Sequence, residues 1–201
     1  MCGRVYIAPA DPELRELIKE MNRSGLASRF TEKEGSLLQP EGEIFPSSVL
    51  PVLAASKAGM QRVFPMKWGF SSPKGLLINA RAETASEKPT FRESWTGHRC
   101  VIPASWYFEW EHDEKKKAGQ KYALRPEEQG LIWLAGLYRM ENGLPVFVIL
   151  TRPADESIAW MHDRMPVMLP RKKISRWISP DTDPEDILKT CLTRVRWERA
   201  G

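Results

Sequence analysis

The chain has 201 residues, 42% hydrophobic and 28% charged, with a formal net charge of +4. These proportions fit one soluble globular domain and exclude disordered and fibrous classes. No apolar run approaches the roughly 18 residues that span a bilayer, and Met1-Cys2-Gly3-Arg4 lacks the basic-then-apolar layout of a signal peptide, so no membrane association is expected. Three cysteines with no Cys-x-x-Cys spacing suit a reducing, cytoplasmic compartment. So small a surplus of charge permits an anionic partner without demanding one.

Along the chain, Asp11-Pro12-Glu13 predicts a helix start. Leu14, Leu17, Ile18 and Met21 then share one face, and Gly25 offers a stop. Residues 26–48 show no sustained period and read as a long ordered loop, a kind of segment that is more often functional than idle. Strands are expected at 49–54, 61–70, 76–82, 99–102, 107–110, 121–124, 132–138 and 146–151, all rich in β-branched and aromatic residues. Residues 111–120 and 140–144 read as hairpin connections, and short helices are expected at 91–95, 154–161, 171–177 and 184–192. Sixteen prolines and 13 glycines argue against a helix bundle. The sparse helices favour a strongly curved, barrel-like antiparallel sheet flanked by short helices. There is no repeat and no linker, so residues 1–201 form one α+β domain.

Chemistry concentrates in a few places. If Met1 is removed, Cys2 begins the chain as a 1,2-aminothiol, with two nucleophiles on adjacent carbons. Its amine, with an ordinary pKa of about 7.7–8.0, is partly neutral at physiological pH. An aldehyde would condense with that amine, and the thiol could then close a thiazolidine ring. No internal cysteine can do this. Cys100 and Cys191, set in apolar surroundings, read as core residues. Among three histidines, His98 and His112 read as surface residues. His162 ends the expected helix at 154–161, where a helix C-terminus would favour its charged form. A catalytic role and a structural hydrogen bond both remain open for it. Glu109 lies in Trp106-Tyr107-Phe108-Glu109-Trp110. Aromatic neighbours would desolvate it and suit it to acid–base work, whereas simple alternation would put it on an exposed face. Asn79 and Arg81 point to the same side of a strand end, fitting either an anion with a hydrogen-bonded sugar or a structural ion pair. Lys115-Lys116-Lys117 reads as a hairpin tip. There is no glycine-rich phosphate loop, His-Glu-x-x-His or Gly-x-Ser-x-Gly, and no ligand spacing for a metal. No cofactor is expected.

Taken together, the N-terminal Met1-Cys2-Gly3-Arg4, Trp68-Gly69, the stretch from Ile78 to Thr84, Cys100 to Ala104 running to Phe108-Glu109-Trp110, Ile149-Leu150-Thr151 and His162-Asp163-Arg164-Met165-Pro166 resemble the SRAP family. This is the SOS-response-associated peptidase family, whose members crosslink to abasic sites in DNA. The resemblance implies the SRAP fold and a monomeric sensor of abasic sites in single-stranded DNA, acting in the DNA damage response. In that reading the Cys2 amine forms a Schiff base with the abasic aldehyde, and its thiol closes a thiazolidine. Glu109 would shuttle protons, and His162 would stabilise the intermediate and help strand cleavage or reversal. Asn79 would hold the terminal residue and sugar. Arg4, Arg81 and Arg164 would bind phosphates, and Trp68 would stack on a base or hold strands apart. Autocatalytic removal of Met1 would account for the peptidase label. Two positions depart from the family pattern: Glu43 stands where an asparagine is common, and Trp106 where a glycine is usual. The alternative classes are a cysteine hydrolase with Cys2 as nucleophile and His162 as base, and a DNA-binding module without chemistry.

Overall fold

Strand β1 (Val5–Ile7) leads into helix α1 (Pro12–Arg23), whose start is set by the Asp11 carboxylate. That side chain accepts from the backbone N–H groups of Glu13 and Leu14 at 2.9 and 3.0 Å, satisfying donors that the first turn leaves open. Leu14 and Met21 are buried, and Leu17 and Ile18 pack beside them. The computed structural model describes residues 2–34, 38–112, 118–127 and 130–200. The expected hairpin tip at Lys115–Lys117 therefore lies outside the described residues.

Residues 26–48 are more regular than expected, containing helix α2 (Ala27–Glu34) and strand β2 (Gly42–Ile44). Ala27 and Phe30 face the core, an apolar pair too brief to register as a period. Strand β2 exists because it pairs with β1, in a register matching Val5 to Ile44. Then follow β3 (Val49–Ala55), β4 (Gln61–Trp68), β5 (Phe70–Ser72), β6 (Gly75–Leu77), β7 (Asn79–Arg81), α3 (Ala82–Ala85) and α4 (Pro89–Gly97). The single strand expected over 61–70 breaks at Gly69, whose φ is 119° and where an added Cβ would sit 2.5 Å from Leu76 Cγ. Next come β8 (Arg99–Ala104), β9 (Trp106–His112), β10 (Ala118–Pro126), β11 (Ile132–Glu141) and β12 (Leu144–Pro153). Strands β11 and β12 are joined by the hairpin foreseen at 140–144, with Asn142 and Gly143 both at positive φ (50° and 77°). Last are β13 (Arg164–Pro166), a 3-10 turn (Arg171–Lys173), α5 (Ile174–Ile178), α6 (Pro184–Leu188) and β14 (Val195–Arg199).

The helix expected at 154–161 does not form. The Asp155 carboxylate takes the backbone N–H and hydroxyl of Ser157 at 3.1 and 2.7 Å, a local bonding pattern that competes with a helix. The segment becomes successive turns closed by Ile158 N–H to Asp155 O and Met161 N–H to Ile158 O.

Strands β11-β8-β3-β4-β12 pair in that order and β12 returns to β11, closing a five-stranded barrel. The barrel is mixed rather than wholly antiparallel, because β4 and β12 run parallel. A parallel pair needs a long crossover, and everything from β5 to β11 supplies it. The C-terminal half of β12 is gripped by β7 on one side, in parallel register Ile149–Asn79, and by β13 on the other. A second sheet, β14-β10-β9-β1-β2, carries the N-terminus.

Arg99 ties the helical periphery to the barrel. It is buried, and its guanidinium donates to the backbone carbonyls of Trp177, Trp95, Thr96, Ser179 and Thr182. Arg99→Ala would leave these acceptors without their charged donor, so a urea melt should show a loss of more than about 3 kcal/mol. Stability within about 1 kcal/mol of the parent would contradict this role for Arg99.

Candidate active site

Residue 2 enters the site from the strand ladder. Val5 pairs with Tyr107, and Phe108 N–H donates to Arg4 O at 3.0 Å, so β1 and β9 run side by side up to the N-terminus. Cys2 is fully buried. Its backbone carbonyl accepts from Asn79 Nδ2 at 3.1 Å, joining the strand beside β12 to the start of the second sheet. Burial, and next the nearby Glu109 charge, push the Cys2 thiol well above its ordinary value, against a smaller opposing effect from the Arg4 backbone N–H. Glu109 is only 4% exposed, so it sits on the interior face of β9 and not on the solvent face that alternation also allowed.

Tyr107 shares that interior face. It is fully buried, and its phenol is held well above its ordinary value by burial, then by the Cys2 and Glu109 charges. Its hydroxyl and Asn79 Oδ1 are buried with no hydrogen-bond partner among the described residues. Buried polar atoms left open beside a nucleophile mark a place where a polar ligand could complete the bonding. The period-2 spacing from Glu109 was the available signal for Tyr107, hidden because aromatics crowd both faces of β9.

His162 follows the turns, not a helix, so no helix C-terminus acts on it. Its Nδ1 accepts from Arg164 N–H at 2.9 Å and also lies 2.8 Å from Asp163 Oδ1. One nitrogen cannot accept the first contact and donate in the second. The backbone donor is fixed whereas Asp163 is largely exposed, so the Arg164 N–H contact is taken as the hydrogen bond at Nδ1. Arg164 follows in β13, at the strand end opposite β7.

The charged candidates are already engaged. Arg164 forms a two-pronged pair with Glu83 at 2.7 and 2.9 Å and donates to Thr151 O at 2.8 Å. These hydrogen bonds hold the Glu83 carboxyl below its usual range. Arg4 reaches Glu43 at 2.6 Å and Lys121 reaches its other oxygen at 2.6 Å. Burial raises the Glu43 carboxyl, but the Lys121 and Arg4 hydrogen bonds outweigh it and leave it low. Glu43, Glu83 and Lys121 are thus the site-edge residues that sequence reasoning assigned no partner. Arg81 is exposed at the entry to α3.

Trp68 requires a correction. It is fully buried, lies on Phe147 at 6.1 Å between ring centres, and donates from Nε1 to Ile78 O at 3.0 Å. It has no face to offer a base, and instead it braces the backbone beside Asn79. Trp106 adopts ordinary strand backbone and stacks on Tyr6 at 4.3 Å. Cys100 is buried in the core as expected, and Cys191 is half-buried with burial pushing its thiol up to about 11. His98 packs against Tyr138. Among the described residues no acidic, histidine or cysteine group is arranged to hold a metal, and no helix is long and apolar enough to cross a membrane.

The arrangement is that of a candidate site built around a buried cysteine at the second position. The family comparison agrees with the sequence resemblance: the chain belongs to the SOS response associated peptidase (SRAP) family, whose model matches residues 1–199. It is 36% identical over 210 residues to the abasic site processing protein YoqW of Bacillus subtilis, covering 96% of this chain and 86% of that one. Abasic site processing protein HMCES of Xenopus tropicalis is 26% identical, over 94% of this chain and 69% of its own. A solved structure of a protein from Bacteroides thetaiotaomicron shares the fold, with a TM-score of 0.74 at 20% identity, over all of this chain and 92% of the other.

The buried thiol and phenol fix a pH dependence. Cys100 and Tyr107 stay protonated in the fold above their ordinary values of 9.0 and 10.0. The unfolded chain releases those protons first, so stability must fall as pH rises above 9. Urea melts between pH 8 and pH 10 should show that decline. Cys100→Ala should flatten it by about 1.4 kcal/mol at pH 10, one unit above the unfolded thiol. An unchanged slope in the variant would contradict the assignment.

Proposed function

We propose that this protein captures abasic sites in single-stranded DNA covalently, through Cys2 after removal of Met1. The observation that carries this reading is the Asn79 amide on the Cys2 carbonyl at 3.1 Å, with the buried Glu109 beside the same residue. That tie orients residue 2 through its backbone and leaves its amine and thiol for chemistry.

In the proposed sequence Glu109 first helps open the abasic sugar to its aldehyde. The neutral Cys2 amine adds to the aldehyde carbon, water departs and an imine forms. The thiol sulfur then bonds to that carbon while its proton passes, by way of Glu109, to the imine nitrogen. Carbon, sulfur and nitrogen end in one five-membered ring, with water the sole leaving group. The Asn79 Oδ1 and the His162 imidazole would hold the sugar hydroxyls, and His162 would support strand cleavage or reversal.

Arg4, Arg81 and Arg164 are proposed as phosphate contacts, and three of them on a single strand would give a log–log salt slope of about −2. Two of the three are paired with carboxylates in the free protein, so DNA must displace Glu43 and Glu83 or share their cations. Relief of one competitor should be measurable. Glu43→Gln should tighten binding to single-stranded DNA and steepen the salt slope by about 0.7. Unchanged binding would remove Arg4 and Lys121 from the interface.

The chemistry is tested by mixing the purified protein with a single-stranded oligonucleotide carrying one abasic site and resolving the products on a denaturing gel. A heat-stable adduct should form, vanish in Cys2→Ala, and form at least ten-fold more slowly in Glu109→Gln with binding kept within two-fold. Peptide turnover without any DNA adduct would overturn the proposal.

A further inference from the structure

Three aromatic rings form a cluster that the proposed chemistry does not use. Tyr122 of β10 meets Trp160 and Trp197 edge-on at 5.3 and 5.4 Å, and the two indoles meet each other at 5.5 Å. Tyr122 is buried, but Trp160 and Trp197 are 45% and 46% exposed. The Trp160 ring is held in place by its Nε1–H, which donates to Ser157 O at 3.0 Å.

The cluster adjoins the candidate site. Tyr122 is the direct cross-strand partner of Glu109 in the β9–β10 ladder, and directly opposed residues share a face. Trp160 lies in the turn that delivers His162. Three arginines, two exposed and one half-buried, lie on the elements that carry the rings or next to them. Arg199 sits on the Trp197 face of β14, opposite Tyr122. Arg152 and Arg194 lie close enough to Asp155, in the Trp160 turn, to help its Ser157 hydrogen bonds keep that carboxyl low. Among the described residues none of these three arginines has a carboxylate within ion-pair distance.

Exposed indoles fixed by a buried ring and flanked by cations are the ingredients of a stacking platform for unpaired bases, which combines π-faces with a positive track for the backbone. We propose that Trp160 and Trp197 stack the base of a nucleotide neighbouring the captured abasic sugar. This rests on the reading of Cys2 as the capture residue, and it adds a requirement that reading lacks: a base-bearing, unpaired neighbour. A base in a duplex has its faces covered, so the platform selects single strands.

The test separates the two claims by using an oligonucleotide that cannot react. A labelled single strand carries a central tetrahydrofuran abasic analogue, which has no aldehyde, flanked either by thymidines or by further tetrahydrofuran units. Fluorescence anisotropy should show the thymidine-flanked strand binding about ten-fold tighter, the scale of one base stack. Trp160→Ala/Trp197→Ala should erase that preference, and Trp160→Phe/Trp197→Phe should keep most of it. Equal binding of both strands by the parent protein, which needs no variant and no folding control, would overturn the platform. So would a preference that survives in the alanine pair. A missing adduct with an aldehyde-bearing strand would strike the capture chemistry alone.

Discussion

The arrangement depends on where residue 2 is held: at the seam between a closed barrel and a second sheet, with a barrel-side amide on its carbonyl. One such hydrogen bond is worth about 1 kcal/mol net, too little to bring two sheets together. The strand ladders do that work. Strand β1 is pinned between β2 and β9, and Asn79 is pinned by the parallel pairing of β7 to β12 and by the Trp68 indole on Ile78 O. The hydrogen bond then selects one orientation of a terminus that would otherwise rotate, leaving its side chain against Glu109 and Tyr107.

Electrostatics at the site follow two different rules. Inside, burial dominates, and Cys2 and Tyr107 are kept protonated by a surrounding that water does not reach. At the rim, ion pairs dominate, with Glu43 bridging Arg4 and Lys121, and Glu83 holding Arg164. Rim pairs of this kind contribute at most about 1 kcal/mol, so they position the cations without locking them. Beside the site the cations are partly neutralised by these neighbouring carboxylates.

Much of the strand order was legible in the sequence because β-branched and aromatic runs punctuated by glycine and proline have few other solutions. Asp11 before Pro12 named the helix start, and Asn142-Gly143 fell within the hairpin expected at 140–144. What stayed hidden was decided by tertiary pairing. The three-residue β1, β2 and β13 carry no period of their own and exist because neighbours supply their hydrogen bonds. The parallel β4–β12 contact closes the barrel between segments far apart in sequence. Glu109 could not be assigned to one face from a strand with aromatics on both, and only the register with β10 settles its burial. Trp68 misled for a related reason, since a tryptophan beside a motif reads equally as a stacking surface or as a brace. Nothing in the sequence separates Trp160 and Trp197 from core tryptophans; their exposure is set by the fold.

The central claim is that the reacting group is the amine and thiol of residue 2 together, which a digest can locate directly. After reaction with an abasic single strand and nuclease treatment, trypsin should release Cys2-Gly3-Arg4 without Met1, carrying one deoxyribose remnant and lacking one water. The mass should persist without any reducing agent, as a closed ring requires. A remnant found on a lysine, or on a peptide that still begins with Met1, would contradict the account.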